Sequence, residues 1–208
     1  KDPVSGTHEA PAREREPGAL LTEKTARCGL CPHECSIPTG KWGYCGARRF
    51  DGEALESPYL GRFSSIAVDP IEKKPLLHWR PGSLIFSLGS LGCTMRCPFC
   101  QNHGIAHPSE GQPLRKLEAV SPEALVAILR KSKLNALAYT YNEPALQSEY
   151  SLDAAPLLQE AAIATVLVSN GMYSQAVLHE LAPVVDAANI DLKTFNARTY
   201  ASLGGNLE

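Results

Sequence analysis

The sequence lacks any apolar run approaching the roughly eighteen residues needed to cross a bilayer, and its N-terminus carries no signal-peptide core. Neither a membrane protein nor a secreted one is therefore expected. A basic excess is missing as well. Lys+Arg 20 against Asp+Glu 22 leaves a net charge of -2, whereas a protein that neutralises nucleic-acid phosphates carries surplus positive charge. What the sequence does have is cysteine, 7 in 208 residues. Their odd number and tight clustering argue against a disulfide framework and for metal ligation in a reducing compartment, here expected to be the cytoplasm. With 44% hydrophobic and 20% charged residues, the chain has enough apolar content for one sizeable core.

Residues 1–20 mix Pro, Gly, Glu and Arg with almost no apolar content and read as a flexible tail. Residues 21–81 form a Cys-rich N-terminal module and connector. Between 50 and 81, Pro58, Pro70, Pro75 and Pro81 break the text too often for helices, and at most a short hairpin is expected. From 82 to 208 the pattern becomes regular. Strands are expected at 83–88, 136–141, 165–168 and 187–192, each a short apolar run. Helices are expected between them. Ser121 with Pro122 starts one over 122–133, others cover 148–162 and 174–185 (interrupted at Pro183), and Asn196 caps a last one. Strands alternating with helices imply right-handed βαβ units and a parallel sheet.

Polar residues stand at the C-terminal ends of these strands: Asn142 and Glu143, Ser169 and Asn170, Asp191 and Lys193. Parallel α/β folds bind ligands on that rim. Directly after the first strand comes CTMRCPFC, with Cys93, Cys97 and Cys100 in the spacing C-x3-C-x2-C. Three thiolates on one short loop can hold a cluster and leave one iron open to a ligand, as catalytic zinc keeps an open position. Zinc completed by His103 or His107 is the alternative. Upstream, Cys28, Cys31, Cys35 and Cys45 offer four thiolates, enough to close a zinc site or an accessory iron–sulfur cluster, with His33 as a substitute ligand or with no metal at all. Glu143 could instead cap the helix after Pro144, and Asp191 and Lys193 could be turn and surface residues. The charges of DPIEKKPLLHWRPG (Asp69, Glu72, Lys73, Lys74) read first as a solvated face, although Lys74 or His78 could lie near a substrate opening.

CTMRCPFCQN, with Phe99 before its last cysteine, resembles the cluster motif of radical S-adenosylmethionine (SAM) enzymes. Together with CGLCPHEC, GKWGYCGAR, DPIEKKPLLHWRPG, YTYNEP, SNG and NIDLK, it is most similar to the AmmeMemoRadiSam-system members, themselves similar to pyruvate formate-lyase activating enzymes. The resemblance implies a [4Fe-4S] cluster on Cys93, Cys97 and Cys100 that reductively cleaves SAM, giving a 5'-deoxyadenosyl radical that abstracts hydrogen from a substrate. Asn142 and Glu143 occupy the family's Gly-Gly-Glu-Pro segment, which holds the methionyl amine, with Tyr141-Asn142 replacing the two glycines. Ser169 and Asn170 align with the segment near the ribose and methionyl carboxylate, and Asp191 and Lys193 with an Asp-Leu-Lys motif. Val168 stands where some activating enzymes carry an acidic residue for a monovalent cation.

The implied fold is a partial (β/α) barrel. Four strands are countable against the family's six, and at about thirty residues per unit two more would take roughly sixty residues, so a fragment or a barrel completed by something else is expected. The implied partner is a low-potential electron donor of flavodoxin or ferredoxin type, with a substrate that includes a partner protein among its candidates. The other readings are a glycyl-radical-enzyme activator, a non-catalytic zinc module and a ferredoxin-like electron carrier.

Overall fold

A computed structural model describes residues 24–108 and 116–205; the expected tail at 1–20 lies outside the described residues. From residue 24 the described chain opens with short antiparallel pairs. β1 (Thr25–Arg27) pairs with β2 (Ser36–Pro38), and β3 (Arg49–Phe50) with β4 (Leu55–Glu56). β5 (Arg62–Phe63) is followed by β6 (Ser65–Pro70) and β7 (Leu84–Gly89), then α1 (His103–Ala106) and β8 (Glu118–Ala119), which pairs back to β5. Then come α2 (Pro122–Lys131), β9 (Ala136–Tyr139), α3 (Ser148–Glu160), β10 (Ala164–Ser169), α4 (Gln175–Leu181), β11 (Ala187–Ile190) and α5 (Ala197–Ser202).

The main sheet has the order β11-β10-β9-β7-β6. β7, β9, β10 and β11 run parallel, as the alternating pattern predicts, so the protein is α/β with a mostly parallel sheet. β6 corrects the expectation of an irregular stretch. It lies antiparallel to β7, with Ser65 opposite Gly89 and Pro70 opposite Leu84. An edge strand bonds on one side only, so a proline at its last residue costs it no ladder bond.

Helix starts follow the local signals. Ser121 Oγ accepts from Ala124 N at 3.2 Å and Asn196 Oδ1 from Thr199 N at 2.9 Å. The segment expected as one helix over 174–185 splits at Pro183, where α4 gives way to a 3-10 turn over Ala182–Val184.

Alternation along the strands sorts side chains onto two faces. Phe86, Leu88, Leu137, Tyr139 and Leu167 pack under α2 and α3 against Leu125, Leu129, Tyr150 and Leu158. Ile85, Ala136, Ala138, Ala164 and Val166 take the other face, where alanines leave room for Ile71, Leu76 and Trp79 of the segment after β6. That segment packs on this face, and burying Ile71 completely contributes about 1.5–3 kcal/mol.

Candidate functional site

The loop bearing Cys93, Cys97 and Cys100 leaves β7 and is pinned at both ends by residues just past β9. Asn142 Oδ1 accepts from Ser90 N (2.9 Å) and its Nδ2 donates to Gly92 O (2.9 Å), while Asn102 Nδ2 donates to Tyr141 O (2.8 Å). Asn142 thus spends its amide on the loop. Gly92, at φ 93°, lies so close to the N-terminal segment that a Cβ would fall 2.7 Å from the Cys45 carbonyl. Tyr141, standing for a family glycine, adopts a φ of 70°, a left-handed conformation that costs a non-glycine residue roughly 1–2 kcal/mol. Its hydroxyl is tied to Asp69.

Glu143 is buried at 2% exposure. Its Oε1 accepts from Ser169 Oγ (2.7 Å) and Ala145 N (3.1 Å), and its Oε2 from Asn170 N (3.0 Å). The bond from Ala145 is the helix cap, and the other two join β9 to the end of β10. Capping and site geometry coexist in one carboxylate. Burial pushes its pKa up, against the pull of those three donors. Asn170 also reaches Thr94 Oγ1 (2.9 Å) and Cys93 Sγ (3.6 Å) through Nδ2. Lys193 Nζ donates to Asp191 Oδ2 at 2.8 Å. Burial would lower the lysine's pKa, but Asp191 and the nearby cysteines raise it on balance.

All these groups face one cavity of about 610 Å³: the three loop cysteines together with Asn142, Glu143, Ser169, Asn170, Asp191 and Lys193. The donor set fits an iron–sulfur cluster. Three thiols line the cavity, and burial pushes the Cys93 thiol up to about 12, a penalty that a bound cation reverses. Among the described residues no three His, Cys, Asp or Glu side chains are gathered tightly enough to hold a single metal ion. His103 is exposed, and His107 turns Nε2 to Met95 O at 3.3 Å.

The upstream cysteines lie beside this loop and outside the cavity lining. Cys28, Cys31 and Cys45 are buried and Cys35 half-buried, and burial raises the Cys31 thiol to about 11 with its three neighbours adding to the shift. Cys45 O accepts from Cys93 N at 3.3 Å. His33 bonds Thr94 O at 2.7 Å through Nε2, so this ring nitrogen serves the loop.

Two readings of DPIEKK need correction. Glu72 and Lys73 are exposed, but Asp69 is buried at 4% exposure and Lys74 at 1%, because they pair with each other at 2.7 Å. Lys73, Lys74 and Tyr141 line the cavity; His78 is exposed and does not. Lys74, named from the sequence as a candidate near a substrate opening, lines the cavity; Lys73, Asp69, Thr94 and the place of the Tyr141 side chain are what local sequence reading missed. The one available signal was the position of the acidic–basic run just ahead of β7.

The fold and site together define an α/β protein with a mostly parallel sheet and a loop bearing three thiols on its C-terminal rim. Residues 88–207, more than half of the chain, match the Radical SAM superfamily, and the chain belongs to it. The cofactors of that superfamily are a [4Fe-4S] cluster and SAM. The chain is 35% identical over 174 residues to the uncharacterized protein MJ0808 of Methanocaldococcus jannaschii, covering 83% of this chain and 51% of that protein. It therefore spans about half the length of the curated relative it matches. QueE from Escherichia coli aligns over 66% of this chain and 61% of its own, with a TM-score of 0.44 and 14% identity. No helix among the described residues is long and apolar enough to cross a membrane.

Proposed function

We propose that this chain is the SAM-binding and SAM-cleaving part of a radical SAM enzyme of the AmmeMemoRadiSam type, built as a partial (β/α) barrel (82–208) behind a Cys-rich module (21–81). The observation that carries the reading is the convergence of Cys93, Cys97, Cys100 and the buried carboxylate of Glu143 on one cavity. When bound, a [4Fe-4S] cluster with one thiolate-free iron supplies the electron that splits the sulfonium of SAM to methionine and a 5'-deoxyadenosyl radical. Cys93, Cys97 and Cys100 hold the cluster. Glu143, already oriented by Ser169, Ala145 and Asn170, accepts the methionyl ammonium through charge-assisted bonds. Ser169 and Asn170 bind near the ribose and methionyl carboxylate, and the Asp191–Lys193 pair closes the far side. Asn142 contributes by fixing the cluster loop. The electron comes from a flavodoxin or ferredoxin in a reducing cytoplasm. Anaerobic reconstitution with iron and sulfide, followed by SAM and dithionite, should yield 5'-deoxyadenosine, and a reconstituted protein that neither binds nor cleaves SAM would refute the reading. Activation of a glycyl-radical partner is the second reading. The same resemblance supports it, and it predicts a radical signal on a protein partner.

Glu143→Gln should weaken SAM binding by roughly 10- to 150-fold, the worth of about 1.5–3 kcal/mol for one hydrogen bond to a charged group. Iron content should not change. Calorimetric titration checks this, and an unchanged affinity would leave Glu143 with its structural bonds alone, the helix cap and the link to β10.

We propose that Cys28, Cys31, Cys35 and Cys45, which are not gathered tightly enough in this structure to hold a single ion, close around a separate, structural metal when it binds, zinc in preference to iron. Four thiolates leave no open position for SAM, and metal would stiffen a segment whose strands are only two or three residues long. Elemental analysis of the Cys93/Cys97/Cys100 triple-alanine protein should find about one zinc per chain. Four irons would make the group an accessory cluster, and neither metal would remove the site.

A further inference from the structure

We propose that the floor of the cavity is an anion subsite, where the ammonium groups of Lys73 and Lys74 receive an acidic oxygen group, carboxylate or phosphate, carried by the substrate. This deepens the reading above and rests on it, since it names the substrate class for the same cavity.

The charge balance points there. Lys73 Nζ and Lys74 Nζ each stand 2.7 Å from one oxygen of Asp69. Two ammoniums share one carboxylate, which leaves a net positive charge on a wall where Lys74 is 1% exposed. Glu72 makes no ion pair with either lysine among the described residues; its Oε1 accepts from Gly82 N at 2.7 Å. An ammonium has three N–H donors and Asp69 occupies one on each. Lys74 Nζ also lies 4.6 Å from the ring centroid of Tyr141, which holds it against the cavity side. The surplus charge falls on Lys73, which lines the cavity while its side chain stays 63% exposed, so an anionic ligand entering the cavity can reach it.

Position separates this subsite from the groups assigned to SAM. Glu143, Ser169, Asp191 and Lys193 follow β9, β10 and β11, whereas Lys73 and Lys74 follow β6 at the opposite edge. At about 4.8 Å per strand, Asp191 and Lys193 follow a strand four spacings (about 19 Å) from β6, while Glu143 follows one only two spacings (about 10 Å) away. A purely structural brace would need only Asp69, Lys74 and Tyr141. Lys73 is surplus to it, with a side chain 63% exposed that still lines the cavity.

Lys73→Gln therefore makes the test, because an exposed side chain can change without unfolding the chain. Succinate and inorganic phosphate are titrated calorimetrically into the full chain, with and without SAM. Saturable binding of at least one of them, weakened about tenfold or more by Lys73→Gln with melting temperature and SAM affinity unchanged, is the expected result. Tighter succinate binding identifies a carboxylate substrate and tighter phosphate binding a phosphorylated one. The subsite is overturned if neither anion saturates, if Lys73→Gln binds them as the parent does, or if only Lys193→Gln abolishes binding. A parent protein that binds the anions but not SAM would instead sink the radical SAM reading and leave the subsite standing.

Discussion

Replacing Cys93, Cys97 and Cys100 together with alanine should reduce 5'-deoxyadenosine formation to background and erase the low-temperature electron paramagnetic resonance signal of the site-differentiated cluster. The expectation follows from ligand count. A cubane cluster takes four ligands, the loop supplies three thiols to the cavity, and no other cysteine lines it. Loss of the signal is meaningful only if the chain still folds. Cys97 is 8% exposed and packs against Met95, Met172, Tyr200 and Leu203, with Cys93 and Cys100 at the edge of that group. Trimming a sulfur to alanine there removes little apolar volume, and far-ultraviolet circular dichroism should match the parent. Retained SAM cleavage in the triple variant would sink the cluster assignment outright. Retained signal with lost cleavage would move the iron to Cys28, Cys31, Cys35 and Cys45.

Much of this architecture is written in short-range pattern. The strands at Leu84–Gly89, Ala136–Tyr139, Ala164–Ser169 and Ala187–Ile190 are apolar runs bounded by polar or turn residues, and Ser121 and Asn196 cap where cap residues should. The rim residues were legible for the same reason, since a strand end is a local event and parallel strands bring their ends together. What could not be read lies in contacts between distant segments. Asp69 meets Tyr141, 72 positions away, and Thr94 meets Asn170 across 76. No periodicity marks such pairs. A run of charges looks solvated until a partner from another strand buries it. Asn142 shows the converse: its position was legible, but that both ends of its amide bind the loop backbone was not.

The buried charge pair makes the strongest stability prediction. Asp69→Asn should destabilise the full chain by about 3–5 kcal/mol, the cost of leaving one member of a buried ion pair without its partner. Lys74 is the stranded member at 1% exposure, whereas Lys73, at 63% side-chain exposure, contributes little. Burial alone would raise the Asp69 carboxyl. The bonds from Lys73, Lys74 and Tyr141 outweigh it and hold the group well below the usual carboxylate range. A carboxyl depressed in the folded state contributes its stability above the unfolded value near pH 4, and that contribution drains away as pH falls toward the folded value. The parent should therefore lose stability below about pH 4 more steeply than Asp69→Asn does. Urea titrations of Asp69→Asn, Lys74→Met and the double variant complete the test, because the double variant removes both charges and strands neither. The double variant should recover most of the loss. If Asp69→Asn costs less than about 1 kcal/mol, or the two substitutions simply add, the pair does not brace the cavity floor, and the anchoring of Tyr141 at its left-handed φ must come from elsewhere.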